Sequence, residues 1–100
     1  MSNQKLKTVP KTLSILGQTI DIVQISMSED SHGEADLDNH RIVLNEKYKD
    51  TNKVTLIHEL IHAAIGISGI SEILTKKQEE AICRCLEYAL LDYIKFDGEV

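Results

Sequence analysis

Between Lys53 and Glu72 the chain carries a single charged side chain, Glu59, in a run that is mostly apolar. Asp50, Thr51 and Asn52 precede the run and are all good helix N-caps. Val54 to Ile65 then reads as a helix, apolar almost all round and ending at Gly66. A helix with no polar face belongs at the centre of a domain. The carboxylate of Glu59 is therefore expected in the interior, where an unpaired charge is costly unless something offsets it.

The only imidazoles in that stretch are His58 and His62. Spaced i, i+4, they lie one above the other on one helix face, so both rings can reach a single ion. Glu59 is offset by about 100° from His58. It is badly placed as a third ligand beside its neighbour, but well placed to take a proton from a water near the ion, as a general base does. With four His and nine Glu in 100 residues, H-E-x-x-H arises by chance in roughly one chain of seventy, before any demand for a buried helix. A divalent cation, Zn2+ for this donor set, would offset the buried carboxylate, leaving Glu59 as the catalytic group.

A catalytic zinc takes three protein ligands and keeps one position open. Downstream candidates are Glu79 and Glu80, on a last helix opened by Thr75 with Gln78 three residues on as a capping box. The apolar stripe of that helix reads Ile82, Leu86, Ala89, Leu90 and Tyr93, and the helix is expected to run to near Asp97-Gly98. With Leu86 as the stripe centre, phase slightly favours Glu79 over Glu80. Acidic residues early in a helix also favour its dipole without any metal. Glu72 is a weaker candidate, and His32 and His40 are loop histidines of the kind usually just solvated. Tyr48, His40 and His32 are candidates to stabilise an oxyanion.

Upstream the period changes from helical to alternating. Leu13, Ile15, Ile20 and Ile22 are spaced by two around Gly17-Gln18, which reads as two strands and a tight turn. Residues 26–32 form a loop. A second hairpin follows, with Glu34 to Leu37 and Arg41 to Asn45 as arms and Asp38-Asn39 as the turn. Ile67 to Leu74 links the two helices. The fold class is α+β: a small antiparallel sheet of two hairpins, then a buried helix bearing the histidines and a C-terminal amphipathic helix. Residues 1–10 read as a flexible segment and 11–100 as one domain.

Composition limits the other options. One Phe, three Tyr and no Trp imply an aliphatic core, and a net charge of −5 is a poor match to a phosphate backbone. Nucleic acid is thus an unlikely partner. No apolar segment suggests a signal peptide or a membrane span, so the cytoplasm is the expected compartment. Cys83 and Cys85, at i, i+2, face different ways and read as free thiols.

The run His58-Glu59-Leu60-Ile61-His62, preceded by Val54–Ile57, resembles the signature of zincin metallopeptidases. The layout over about residues 12–95 is similar to small phage and prophage zincin-like proteins, relatives of the ImmA/IrrE and SprT-like metallopeptidases. Gly33-Glu34-Ala35-Asp36, leading into Arg41–Asn45, belongs to the same likeness. The resemblance implies a zinc-dependent peptidase from a phage, a prophage or its bacterial host, acting on a peptide or protein. It also implies a glutamate ligand on the following helix, and the match of Glu80-Ala81 and the aliphatic positions beyond it places that ligand at Glu80. The chain lacks the zinc ribbon of longer SprT-like proteins and any helix-turn-helix, so the DNA-linked and repressor-cleaving roles of those relatives are not expected of it; a protein partner supplying specificity is a further expectation. The extended substrate is expected to pair with a sheet edge, for which Arg41–Asn45 is the candidate. The alternative is a zinc-stabilised structural or interaction domain without catalysis.

Overall fold

The computed structural model describes residues 9–28, 30–47 and 53–96. Most of the N-terminal segment, the N-cap candidates Asp50, Thr51 and Asn52, Tyr48, and Asp97-Gly98 lie outside the described residues.

The chain begins with a hairpin of strands β1 (Thr12–Ile15) and β2 (Gln18–Ile25). The turn falls at Leu16-Gly17, one residue earlier than the sequence suggests. Both residues take positive φ, 50° and 81°, the combination that lets a two-residue turn follow the twist of its strands. Glycine accepts this freely, whereas Leu16 does so against its own side chain. Strand β3 (Gly33–Asp36), a 3-10 turn over Leu37–Asn39 and strand β4 (Arg41–Asn45) follow. His40 closes that turn at φ 51° and passes its carbonyl to the Asp21 amide, so its part is structural.

The strand order is β1-β2-β4-β3, and this corrects the expectation of a purely antiparallel sheet. β4 lies between the hairpin and β3, parallel to β2 and antiparallel to β3. Alternating patterns identify strands and faces but not which strands become neighbours. Arg41–Asn45 is therefore an interior strand with both edges paired and cannot add a peptide; β3 is the outer strand on that side. Ile42, Val43, Leu44 and Asn45 are all buried, as expected of a strand flanked on both sides.

Asn45 is the hinge of this topology. Its side chain is 1% exposed. Its amide donates to the carbonyls of Ser28 (3.0 Å) and Ser31 (2.7 Å), and its oxygen accepts from the Lys47 amide (3.1 Å). These bonds tie the end of β4 to the loop that carries the chain past it to β3.

Helix α1 (Lys53–Ser68) is buried or half-buried along all its length except Ser68. It runs through Gly66, where the sequence suggested a stop, and ends before Gly69 at φ 83°. Gly66 serves contact instead: a Cβ there would collide with the Leu37 side chain, so its absence lets the 3-10 turn sit against the helix. A short 3-10 turn at Ile70–Glu72 leads to helix α2 (Lys76–Ala89). The expected capping box is present: the Gln78 amide donates to Thr75 Oγ1 and the Thr75 amide to Gln78 Oε1. α2 is shorter than its pattern implied.

Its inward face also differs. Cys83 is fully buried, whereas Leu86, Ala89 and Tyr93 are exposed, so Cys83 and not Leu86 marks the centre of the face. The core is aliphatic apart from Phe96 and Cys83, with Ile20, Ile42, Leu56 and Ile57 fully enclosed. Among the described residues no helix is long and apolar enough to cross a membrane.

Replacing Asn45 with alanine removes three part-buried hydrogen bonds, to the Ser28 and Ser31 carbonyls and from the Lys47 amide. The expected loss is about 1–3 kcal/mol, read as a lower urea midpoint with unchanged slope. An unaltered midpoint would show that the loop holds without the side chain.

Candidate metal centre

α1 and α2 pack against one another, and the site forms along their seam. α1 contributes His58 and His62, which the i, i+4 spacing brings edge to face, ring centroids 4.8 Å apart. α2 contributes acids. Measured from Cys83 at about 100° per residue, Glu79 and Glu87 lie about 40° to either side and Glu80 about 60° away. All three can thus face the histidines.

The atoms meet closely. The two Nε2 atoms are 3.2 Å apart. Glu80 places Oε1 2.9 Å from His58 Nε2 and Oε2 3.1 Å from His62 Nε2. Behind the rings, Glu87 Oε2 is 3.0 Å from His58 Nδ1 and Glu79 Oε2 is 2.6 Å from His62 Nδ1. A carboxylate at Nδ1 accepts the ring proton there and leaves the Nε2 lone pair pointing forward. Two lone pairs and a carboxylate then face one another across about 3 Å, an arrangement of acceptors that requires a proton or a cation between them.

The spacing suits a small cation. Bond lengths of about 2.0–2.2 Å to nitrogen and oxygen give tetrahedral ligand separations of about 3.3–3.5 Å, only slightly wider than those observed. The donor set of two imidazoles and a carboxylate is one that zinc favours. Cys83 lies beside it: one donor atom each from His58, His62 and Cys83 falls within 4.8 Å of the other two, a group that could hold a metal ion. Burial pushes the Cys83 thiol up to about 12, with Glu80, Glu79, Glu59 and Glu87 adding to the effect.

Glu59 is 7% exposed and packs under β3; a Cβ on Gly33 would meet Glu59 Cγ at an ordinary 3.4 Å but would crowd the Val43 carbonyl oxygen of β4 at 2.8 Å. Burial raises its carboxyl above the ordinary range, and the neighbouring histidines only partly counter this. For His62, burial pulls the ring down, but the bond to Glu79 and the charges of Glu59 and Glu80 outweigh it and hold the ring above its usual value.

Two clefts flank the centre. One, of about 510 Å3, is lined by β3 (Gly33 to Ala35) and by Glu59, Glu79 and Glu80. The other, of about 570 Å3, is lined by Ser31, His32, Thr55, Glu59, Arg84 and Glu87 among others. Glu80 borders both and is the most exposed of the acids, its side chain 41% accessible.

The structure thus brings together His58, Glu59, His62, Glu79 and Glu80, and gives the two rival glutamates different places: Glu80 at both Nε2 atoms, Glu79 behind His62. His32 borders a cleft, whereas exposed Glu72 and His40 line neither. Glu87 and the nearness of Cys83 were missed. The signal was present in the spacing 80, 83, 87, one turn then two along a single face, but was hidden by centring the stripe on Leu86. Comparison with protein-family models, curated proteins and solved structures finds no match to this chain.

Glu59 and His62 both hold protons more tightly folded than unfolded. Their contribution to stability is complete below the unfolded values, 4.5 and 6.5, and is lost as pH rises through the raised folded ones. Metal-free protein in chelator should therefore melt at progressively lower temperature as pH climbs through this range. Added Zn2+ should reverse the trend, because its ligands bind it better deprotonated. A melting temperature that climbs with pH in chelator would contradict this account.

Proposed function

We propose that the domain is a zinc-dependent peptidase of the zincin kind, with His58, His62 and Glu80 as metal ligands and Glu59 as catalytic base. One observation carries the reading: two Nε2 atoms and one carboxylate converge in front, while separate carboxylates hold each Nδ1 from behind. Four carboxylates around two imidazoles leave the seam short of positive charge. A buried, raised carboxyl beside it is what general-base chemistry near neutral pH asks for.

When bound, zinc supplies Lewis-acid polarisation of a carbonyl and lowers the pKa of a nearby water. Glu79 and Glu87 fix the tautomer and tilt of the rings. Glu59 takes the proton of the attacking water on its carboxylate and passes it to the departing amine. β3 is the outer strand beside β4 and lines the cleft beside Glu59, and its far edge, unpaired among the described residues, is open to an extended peptide. That supports a peptide as the substrate and moves the docking edge from Arg41–Asn45 to Gly33–Asp36.

Glu59→Gln should retain stoichiometric zinc and lose hydrolysis of a peptide library by about 10^2–10^4-fold. His58→Ala and His62→Ala should lose the zinc itself, measured by metal analysis after gel filtration. Full hydrolysis by Glu59→Gln, or a wild-type protein that takes up no zinc, would end the proposal.

Glu87→Gln provides a separate check on the residues behind the rings. It should weaken zinc binding by roughly 10–100-fold with the fold intact, read by competition with a chromophoric chelator. Unchanged affinity would assign Glu87 to helix packing alone.

A further inference from the structure

We propose that Cys83 supplies a fourth protein ligand, so that the resting centre is closed by His58, His62, Glu80 and the Cys83 sulfur. The inference rests on the metal centre assigned above and concerns how that centre is completed.

Three observations lead to it. Cys83 is 0% exposed and occupies the middle of the α2 face turned towards α1. It sits one turn beyond Glu80 and one turn before Glu87, so the residues on either side of it along that face both contact the histidines. A donor atom of Cys83 already lies within 4.8 Å of one from each ring. A zinc–sulfur bond of about 2.3 Å calls for ligand separations of about 3.6 Å, within about 1.2 Å of the present spacing.

The positions are complementary. Glu80 approaches from the accessible side, where the two clefts meet, while Cys83 approaches from the core. On binding, the S–H bond breaks, the proton leaves to solvent and the sulfur keeps the electron pair that it donates to the ion. Four side-chain donors fill a tetrahedral sphere, as in closed zinc sites. Water would then gain a place only when one donor lets go, so that release of a donor would precede each hydrolysis. A soft sulfur donor also biases the site towards zinc and cobalt over magnesium and calcium.

Cobalt reads the ligand set directly. The full chain, freed of metal and kept reduced, is titrated with Co2+ and followed by absorption. The expected spectrum has visible d–d bands of a tetrahedral ion together with a near-ultraviolet sulfur-to-cobalt charge-transfer band. That band should persist in Cys85→Ser, whose cysteine is exposed, and vanish in Cys83→Ala, with Zn2+ affinity lowered by roughly tenfold or more. Visible bands without the charge-transfer band in the unaltered chain overturn the assignment of Cys83 while the histidine–glutamate centre survives. No cobalt spectrum at all overturns both. The decisive band belongs to the unaltered protein, so the result does not depend on how well Cys83→Ala folds.

Discussion

Glu79 and Glu87 reach across from one helix to the Nδ1 atoms of His62 and His58 on the other, and the site depends on these two contacts. An imidazole in an apolar helix could turn either nitrogen outward. With each Nδ1 committed, both Nε2 atoms face the same point, and Glu80 meets them there. The same contacts give the two ring Nδ1 atoms polar partners in the seam. Packing of α1 on α2 and orientation of the donors are thus one arrangement.

That coupling explains where the sequence was transparent. α1 announced itself, because an aliphatic run interrupted by His58, Glu59 and His62 has few other places to go. Thr75 and Gln78 marked the start of α2 through chemistry that is local to one turn. The two hairpin pairings were readable from the spacing of Leu13, Ile15, Ile20 and Ile22 and from Ile42 and Leu44.

The obscured features were all non-local. β4 inserts between β2 and β3, and Asn45 ties its end to the loop between those strands, over a separation that no periodicity records. Gly66 looked like a helix stop because its purpose is the approach of Leu37, nearly thirty residues away. Glu87 was lost in the phase of α2: an apolar residue drew the stripe to Leu86, while the face was chosen by the polar seam around Cys83. An amphipathic pattern reports which side avoids water, and here part of the inward side is acidic.

Gly33 and Gly66 act on opposite sides of the cleft in a way that sets its scale. At Gly33 the strand edge comes down over Glu59, and at Gly66 the turn that follows the strand settles onto the helix. At Gly33 a methyl group would press on the Val43 carbonyl oxygen of β4, 2.8 Å away, with Glu59 Cγ at ordinary contact; at Gly66 it would press on the Leu37 side chain. One glycine thus lets β3 lie close against β4, and the other lets the turn after β3 lie close against the histidine helix, on either side of the stretch that borders the candidate metal site. A chain pairing with that strand would find its distance from the histidines already set. Reach at this site thus depends in part on two missing side chains.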